Sequence, residues 1–202
     1  MARELLMATH NAGKVRELRE LLAGSGWTVR GLPEGTPEFP EDGATFADNA
    51  RGKALFYARH VGMAALADDS GLEVDALDGA PGVYSARFID PQITQQERNR
   101  GLLEMLEGVE DSRRSARFVC HLVLALPGRV VHESTGEAVG TITTAPSGGG
   151  GFGYDPVFRP EGCDRTFAEI SRAEKSSLSH RGAAVRAMIE FLETWDPPGV
   201  VS

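Results

Sequence analysis

The sequence predicts a mixed α/β fold, a central sheet flanked by helices, with parallel and antiparallel strands in the same sheet. Two observations support this prediction. In the first half of the chain, short apolar runs alternate with segments of helical periodicity. In the second half, the apolar runs 117–126 and 129–137 are separated only by Pro127-Gly128, which is typical of a β-hairpin.

The first half predicts three strands and two helices in alternation. The strands are expected over 4–9, 27–32 and 63–67. The first helix has apolar positions from Val15 to Leu22, and the second covers 45–60. The third strand is expected to end at Asp68-Asp69-Ser70-Gly71, because Asp, Ser and Gly favour turns, and 72–76 is a candidate for an extended continuation after that break.

The second half predicts two further helices around the hairpin. Thr94 is a good N-cap for a helix over 94–106, and the last helix is expected over about 178–195. With 202 residues, the chain is long enough for one domain over 1–202. A Pro-Pro-Gly sequence indicates that the tail at about 196–202 is frayed.

Composition excludes several classes of function. The formal net charge of −8 disfavours a protein that binds nucleic acid in a basic groove. Cys120 and Cys163 lack the spacing of a disulfide framework or a zinc site, which indicates a reducing compartment. The chain has neither a signal-like start nor an apolar run long enough to span a membrane. We therefore expect a cytoplasmic protein without a membrane partner.

The motif Thr9-His10-Asn11-Ala12-Gly13-Lys14 lies between the first strand and the first helix. This position favours phosphate binding, because a helix N-terminus offers N–H donors and Lys14 adds a positive charge. The motif is not a Walker A loop, since Val15 follows the lysine where Ser or Thr is required. Taken alone, it is equally compatible with an ordinary capped helix start.

Acidic residues supply candidate metal ligands. Adjacent carboxylates at Asp68 and Asp69 would repel each other after an apolar strand, and a divalent cation would offset that cost. The alternative is a solvated turn. Glu41 in the loop 33–43 is a weaker candidate, because acidic residues in loops are usually solvated.

Two later segments could contact a ligand. Ser179-His180-Arg181 at the start of the last helix would place cationic side chains beside N–H donors, which suits an anionic or carbonyl-bearing ligand. Alternatively, His180 packs in the core and Arg181 points to solvent. The glycine-rich segment 147–158 is either a linker or the wall of a binding site, and its aromatic residues favour the wall.

Taken together, these motifs resemble the inosine triphosphate pyrophosphatase family, also called the dITP/XTP pyrophosphatases. The resemblance covers nearly the whole chain in the family's order. The matching elements are Thr9-x-Asn11-x-Gly13-Lys14, Glu41, Asp68-Asp69-Ser70-Gly71, the segment 79–87 (GAPGVYSAR), Gly151-Phe152-Gly153-Tyr154-Asp155-Pro156 and Ser179-His180-Arg181-Gly182.

The resemblance implies Mg²⁺-dependent hydrolysis of ITP, dITP or XTP between the α and β phosphates, giving the monophosphate and pyrophosphate. It also implies an elongated mixed sheet with two lobes around an active-site cleft, one Mg²⁺ per subunit, and a homodimer.

The resemblance also implies a role for each matching residue. The triphosphate would be held by Thr9, His10, Asn11, Ala12, Gly13 and Lys14. Glu41 and Asp69 would bind the metal, and Asp69 would also take the proton from the attacking water. Ser70 and Lys175 would help to hold the substrate. The purine pocket would be formed by Phe152, Gly153, Tyr154, Asp155, His180 and Arg181.

Two features depart from the relatives. His10 stands where a small or amide residue is common, and four glycines precede Phe152 where fewer are usual. Two other functions are alternatives: a pyrophosphatase of the related septum-inhibition type acting on other nucleotides, and a non-catalytic nucleotide sensor. The Gly-Phe-Gly-Tyr-Asp and Ser-His-Arg elements disfavour the first. Retention of Lys14, Glu41 and Asp69 disfavours the second.

Overall fold

Six strands form one mixed sheet, as predicted. The computed structural model describes residues 3–197, so the predicted frayed tail lies mostly outside the described residues. The strands are β1 (Arg3–Met7), β2 (Trp27–Arg30), β3 (Ala65–Val74), β4 (Ser115–Leu126), β5 (Arg129–Ile142) and β6 (Phe158–Pro160). Their order in the sheet is β2-β1-β3-β4-β5-β6. β1 is parallel to β2 and β3, whereas β5 and β6 are antiparallel.

Five α-helices accompany the sheet: α1 (Ala12–Leu22), α2 (Phe46–Val61), α3 (Gln95–Met105), α4 (Arg172–Leu178) and α5 (His180–Thr194). Local sequence signals set several of their ends. Thr45 caps α2 by accepting a hydrogen bond from the Asp48 N–H, and Gly62 ends that helix in the left-handed region. Thr94 forms a capping box with Glu97 at the start of α3, as its cap position predicted.

The chain divides into two compact units. The first unit comprises the described residues up to Asp69, Cys120–Gly136 and the residues from Arg181 onward, and the second comprises Ser70–Val119 and Glu137–His180. Each unit has a core of its own. In the first, Leu5, Leu18 and Met188 belong to one buried cluster. In the second, Leu72, Leu102 and Phe158 belong to another. Whether residues 1–202 fold as one domain stays a prediction.

The structure corrects the predicted end of the third strand. β3 continues from Ala65 through Asp68 and Asp69 to Val74, so the acidic pair lies inside a strand rather than at its end. Turn propensity is overridden here because charged and amide side chains from other elements contact both carboxylates. The short helix α4 and the short strand β6 were not predicted, and the last helix begins at His180 instead of 178.

Nowhere in residues 3–197 is a helix both long enough and apolar enough to cross a membrane.

Candidate active site

The Thr9–Lys14 motif forms the connection from β1 to α1, as predicted. Asn11 is the N-cap of α1, and its Oδ1 accepts hydrogen bonds from the N–H groups of Gly13 (2.9 Å) and Lys14 (3.1 Å). Thr9 Oγ1 in turn accepts from the Asn11 N–H at 3.2 Å. The N–H groups of Gly13 and Lys14, which the sequence suggested for phosphate binding, therefore donate to Asn11. The Lys14 side chain supplies the positive charge of this motif.

The other two residues of the motif, His10 and Ala12, are exposed. The His10 ring lies edge-on to Tyr57, with 6.1 Å between the ring centroids. Their contact with a triphosphate stays a prediction.

Asp68 is the centre of a buried ion network in the first unit. Its side chain is fully buried, and its Oδ2 lies 3.1 Å from Lys14 Nζ and 3.0 Å from the Arg181 Nη2. Burial alone would raise the pKa of Asp68, but Lys14, Arg181 and Lys53 outweigh it and hold the pKa far below its ordinary value. Asp68 is therefore ionised throughout the physiological range, and it orients two cationic side chains.

Arg181 contacts carboxylates of the first unit. Its guanidinium pairs with Asp68 and, at 2.6 Å from Nη1 to Oε2, with Glu17 of α1. The side chain is 1% exposed, so the alternative in which it points to solvent is wrong. Its role in reading a purine base stays a prediction.

Asp69 has the opposite electrostatic character from its neighbour. Its burial raises the pKa, the nearby Lys14 and Lys53 act in the lowering direction, and Glu41 adds to the rise. The net effect is a pKa above the ordinary value of 3.8. A carboxylate with a raised pKa is a better proton acceptor near neutral pH, which suits a general base.

Two side chains of α2 contact the acidic segments. Asn49 Nδ2 donates to Asp69 Oδ2 at 3.0 Å. Lys53 Nζ donates to the carbonyl oxygen of Asp68 at 3.1 Å and pairs with the Glu41 carboxylate. Burial acts to lower the pKa of Lys53, but Glu41, Asp69 and Asp68 outweigh it and raise the pKa. Lys53 therefore remains charged although it is 4% exposed.

The first unit offers a donor set that suits Mg²⁺. Glu41 is close enough to Asp69 for its charge to contribute to the raised pKa of Asp69. In the described part of the chain, no group of three or more His, Cys, Asp or Glu side chains is placed to hold a metal ion. Mg²⁺ is commonly bound by one or two carboxylates together with substrate phosphates and water, so two carboxylates beside lysines fit this ion and not an all-protein cage.

The second unit assembles a separate group of predicted residues. Asp155 is 2% exposed, and its Oδ2 accepts from Lys175 Nζ at 2.6 Å and from the Phe152 N–H at 2.7 Å. Lys175 Nζ also lies 4.9 Å from the centroid of the Phe152 ring. Asp155 thus holds the lysine and the aromatic residue in one arrangement. Its own contact with a substrate stays a prediction.

Other predicted residues of the second unit are held by neighbouring elements. Tyr154 is buried, and its hydroxyl donates to the carbonyl oxygen of Ser85 at 3.0 Å. The carbonyl oxygen of Gly153 accepts from Asn99 Nδ2 at 3.1 Å. The His180 ring stacks on Phe118 with 4.7 Å between centroids. Ser70 is half-buried within β3.

The glycine-rich segment is packed rather than slack. The Gly150 N–H donates to the carbonyl oxygen of Ala168 at 2.9 Å. A Cβ at Gly148 would collide with the backbone of Ala168. Gly151 has a φ of +69° and lies directly against the Asp155 carboxylate. Close backbone approach therefore requires glycine here, and the linker alternative is wrong for this part of the segment.

Sequence reasoning missed Asn49 and Lys53. Both lie within the correctly predicted second helix, one turn apart, and both are almost fully buried. A buried Lys and a buried Asn on an otherwise apolar helix face are unusual. Their positions at i and i+4 are the signal that could have revealed them.

Residues 5–191 match the sequence model of the Ham1 family. A dITP/XTP pyrophosphatase of Gloeobacter violaceus is 52% identical over 191 residues, which cover 94% of each chain. A dITP/XTP pyrophosphatase of Thermus thermophilus is 48% identical over 200 residues, covering 98% of this chain and 96% of the relative.

A solved structure supports the fold. The HAM1 protein of Coxiella burnetii superposes with a TM-score of 0.85 at 39% sequence identity, covering 94% of this chain and 98% of that one.

Proposed function

Because the chain belongs to the Ham1 family, we propose that it is a pyrophosphatase that hydrolyses the non-standard purine nucleotides dITP, ITP and XTP to the monophosphate and pyrophosphate. The observation that carries this proposal is the geometry of the first unit. There Asn49 bonds Asp69 at 3.0 Å, Lys14 Nζ lies 3.1 Å from the adjacent Asp68, and Lys53 links the Asp68 carbonyl oxygen to the Glu41 carboxylate.

The lysines of the first unit would bind the triphosphate. Lys14 follows the N-cap of α1, where the helix dipole favours an anion, and Asp68 keeps its ammonium group oriented. Lys53 adds a second positive charge, which lies between the Glu41 carboxylate and the carbonyl oxygen of Asp68. Two oriented cations in a partly buried site would help to neutralise the charge of a polyphosphate.

Asp69 would act as the general base. The residue is 5% exposed, and Asn49 Nδ2 donates a hydrogen bond to one carboxylate oxygen. In the reaction, a water oxygen forms a bond to phosphorus, the proton of the water passes to Asp69, and the bond to the pyrophosphate leaving group breaks. Glu41 and Asp69 would hold Mg²⁺, which when bound supplies positive charge to the phosphate oxygens.

The group of the second unit would recognise the base. The Phe152 ring offers an apolar face and the Lys175 ammonium is a donor beside it, both fixed by Asp155. A 6-oxo purine can accept a hydrogen bond where a 6-amino purine cannot. Buried donors left without an acceptor disfavour the wrong base by orders of magnitude.

A homodimer with one Mg²⁺ per subunit, located in the cytoplasm, belongs to the same proposal. It rests on the family resemblance. The net charge of −8 supports the expectation that the partner is a small nucleotide and not a nucleic acid.

The direct test is release of pyrophosphate and of phosphate from ITP, XTP, dITP, GTP, ATP and dTTP, with Mg²⁺ and with a chelator. We expect pyrophosphate from the 6-oxo purine nucleotides, little product from ATP, and none with chelator. Turnover restricted to dTTP would favour the septum-inhibition type. ITP binding without turnover of any nucleotide would favour a sensor.

The proposed base is tested by Asp69→Asn. Removing the proton acceptor should lower kcat for ITP by about a thousandfold or more, while ITP still binds. Asp164→Asn, which makes the same chemical change at an exposed residue of the second unit, is the matched control and should leave kcat unchanged. Near-normal turnover by Asp69→Asn would exclude Asp69 as the base.

A further inference from the structure

Asn49 makes two hydrogen bonds that link separate segments of the first unit. Its side-chain Nδ2 donates to Asp69 Oδ2 at 3.0 Å, and its Oδ1 accepts from the Gly43 N–H at 2.8 Å. The residue is 1% exposed. One amide therefore joins the proposed base on β3 to the loop that carries Glu41.

A rigid element holds this amide in place. Asn49 lies in the first turn of α2, and its own N–H donates to the carbonyl oxygen of Thr45, the N-cap. Lys53 follows on the same face of the helix, four residues later, and pairs with Glu41. The face of α2 thus contacts both carboxylate-bearing segments through two adjacent side chains.

The loop is shaped to receive the amide. A Cβ at Gly43 would lie 2.6 Å from Asn49 Oδ1 and 3.1 Å from the Asn49 backbone nitrogen. Only a glycine at this position allows the backbone to come so close. The hydrogen bond from the Gly43 N–H therefore requires both a glycine at position 43 and the side-chain amide of Asn49.

The chemistry of the contact requires a neutral amide. An amide can donate to a carboxylate and accept from a backbone N–H at the same time. An ionised Asp would keep the acceptor but would turn a second carboxylate towards Asp69. A Leu would fill the same volume and make neither bond.

We propose that Asn49 is a positioning residue that holds the Asp69 carboxylate and the Glu41 loop in the arrangement that the reaction needs. This inference rests on the proposed function. It adds to that function a residue that would contact neither substrate nor metal. Partners that orient the groups of a metal site typically affect activity by about 10- to 100-fold.

The kinetic test uses Asn49→Asp and Asn49→Leu. We expect each to lower kcat for ITP by about 10- to 100-fold, with KM for ITP changed by less than about threefold. Loss of folded protein alone would also lower the apparent kcat with KM unchanged, so the folded fraction of each variant is measured by circular dichroism and kcat is expressed per folded molecule. Arg51→Gln is the matched control. It lies on the same helix but pairs with Glu133, and it should leave kcat within about twofold of wild type.

The outcomes are decisive. A kcat within about threefold of wild type for Asn49→Asp would overturn the proposal, as would the same result for folded Asn49→Leu. If Asn49→Leu does not fold, Asn49→Asp decides, since it retains the volume and the acceptor for Gly43.

A second measurement uses the wild-type protein and needs no turnover. The side-chain amide resonance of Asn49 is followed by ¹⁵N NMR while Mg²⁺ and imidodiphosphate, a pyrophosphate analogue in which NH replaces the bridging oxygen, are added. A shift of this resonance is expected, because the amide is bonded to Asp69. An unchanged resonance at saturation would contradict the proposal even if neither variant folds. Absence of ITP hydrolysis by the wild type would count against the proposed function alone.

Discussion

Two adjacent aspartates of one strand have opposite electrostatic environments. Asp68 contacts Lys14 and Arg181 directly, and its pKa is strongly lowered. Asp69 is also buried, but the nearby Lys14 and Lys53 do not outweigh the effect of burial, so its pKa is raised. Side chains of neighbouring strand residues point to opposite faces, so each carboxylate meets a different set of partners. The result is one permanent anion that orients cations and one carboxylate able to accept a proton.

Asp68→Asn should destabilise the protein strongly. The change removes the charge that pairs with buried Arg181 and with Lys14, and breaking a buried ion pair on one side costs about 3–5 kcal/mol. The midpoint of urea unfolding should fall accordingly, at an unchanged m-value. Asp164→Asn again serves as the exposed control. A loss below about 1 kcal/mol would show that Asp68 is not the anchor of this network.

The glycine-rich segment is ordered by hydrogen bonds and close contacts with neighbouring residues, although its sequence is flexible. Gly150 is bonded to Ala168, and Gly151 lies against Asp155, which in turn accepts from the next N–H in the chain. The conformational entropy lost by these glycines is offset by hydrogen bonds and close backbone contacts. The element can therefore present Phe152 in a defined position.

Gly151→Ala should weaken binding of ITP. A Cβ would overlap the Asp155 carboxylate, and the φ of +69° is unfavourable for alanine. Displacing Asp155 would also displace Lys175 and Phe152, so we expect KM for ITP to rise about tenfold, equivalent to about 1.4 kcal/mol.

Gly149→Ala is the matched control for this substitution, because a Cβ there would meet nothing within 4 Å. Its KM should stay within about twofold of wild type. Equal KM values for Gly151→Ala and Gly149→Ala would contradict the prediction that close packing of Gly151 against Asp155 is needed for ITP binding.

For the whole molecule, the excess of acidic residues has a defined consequence for stability in acid. The chain contains 29 Asp and Glu against 21 Lys and Arg. Several carboxylates are paired in the folded state, among them Glu133, which accepts from Arg51 Nε at 2.7 Å and contacts His121 at 2.8 Å. Such pairs stabilise the fold only while the carboxylate is ionised.

Glu133→Gln should flatten the acid side of the stability profile. The hydrogen bond from Arg51 and, more weakly, the one from His121 lower the pKa of Glu133 below its ordinary 4.5. The folded state therefore binds fewer protons than the unfolded one. The stabilisation is complete above pH 4.5 and is lost as the pH falls through the folded-state pKa.

The measurement is the thermal midpoint of wild type and variant between about pH 3 and pH 7. Wild type should be the more stable protein near neutral pH, by at most about 1 kcal/mol because the pair is partly exposed, and the curves should converge in acid. A constant difference across this range would contradict the assignment.

Much of the fold, and the position of the Thr9–Lys14 motif between β1 and α1, could be predicted from local sequence. The capped starts of α1 and α3, the hairpin and the motif that ends in Lys14 all depend on neighbouring residues. The course of β3 could not be predicted, because Asp68 and Asp69 favour a turn unless distant cations and an amide contact them. The contacts of Asn49 and Arg181 span 20 and 113 positions in the chain, which no local pattern reveals.

By itself, the sequence determined the mixed α/β class, which follows from periodicity, and the family, whose short motifs the chain carries in order. Only the tertiary structure decided that the pKa of Asp68 is lowered and that the pKa of the adjacent Asp69 is raised. It also decided that a helix face with Asn49 and Lys53 organises both acidic segments. The physical reason is that the pKa and the orientation of a buried group depend on charges and donors brought to it by folding.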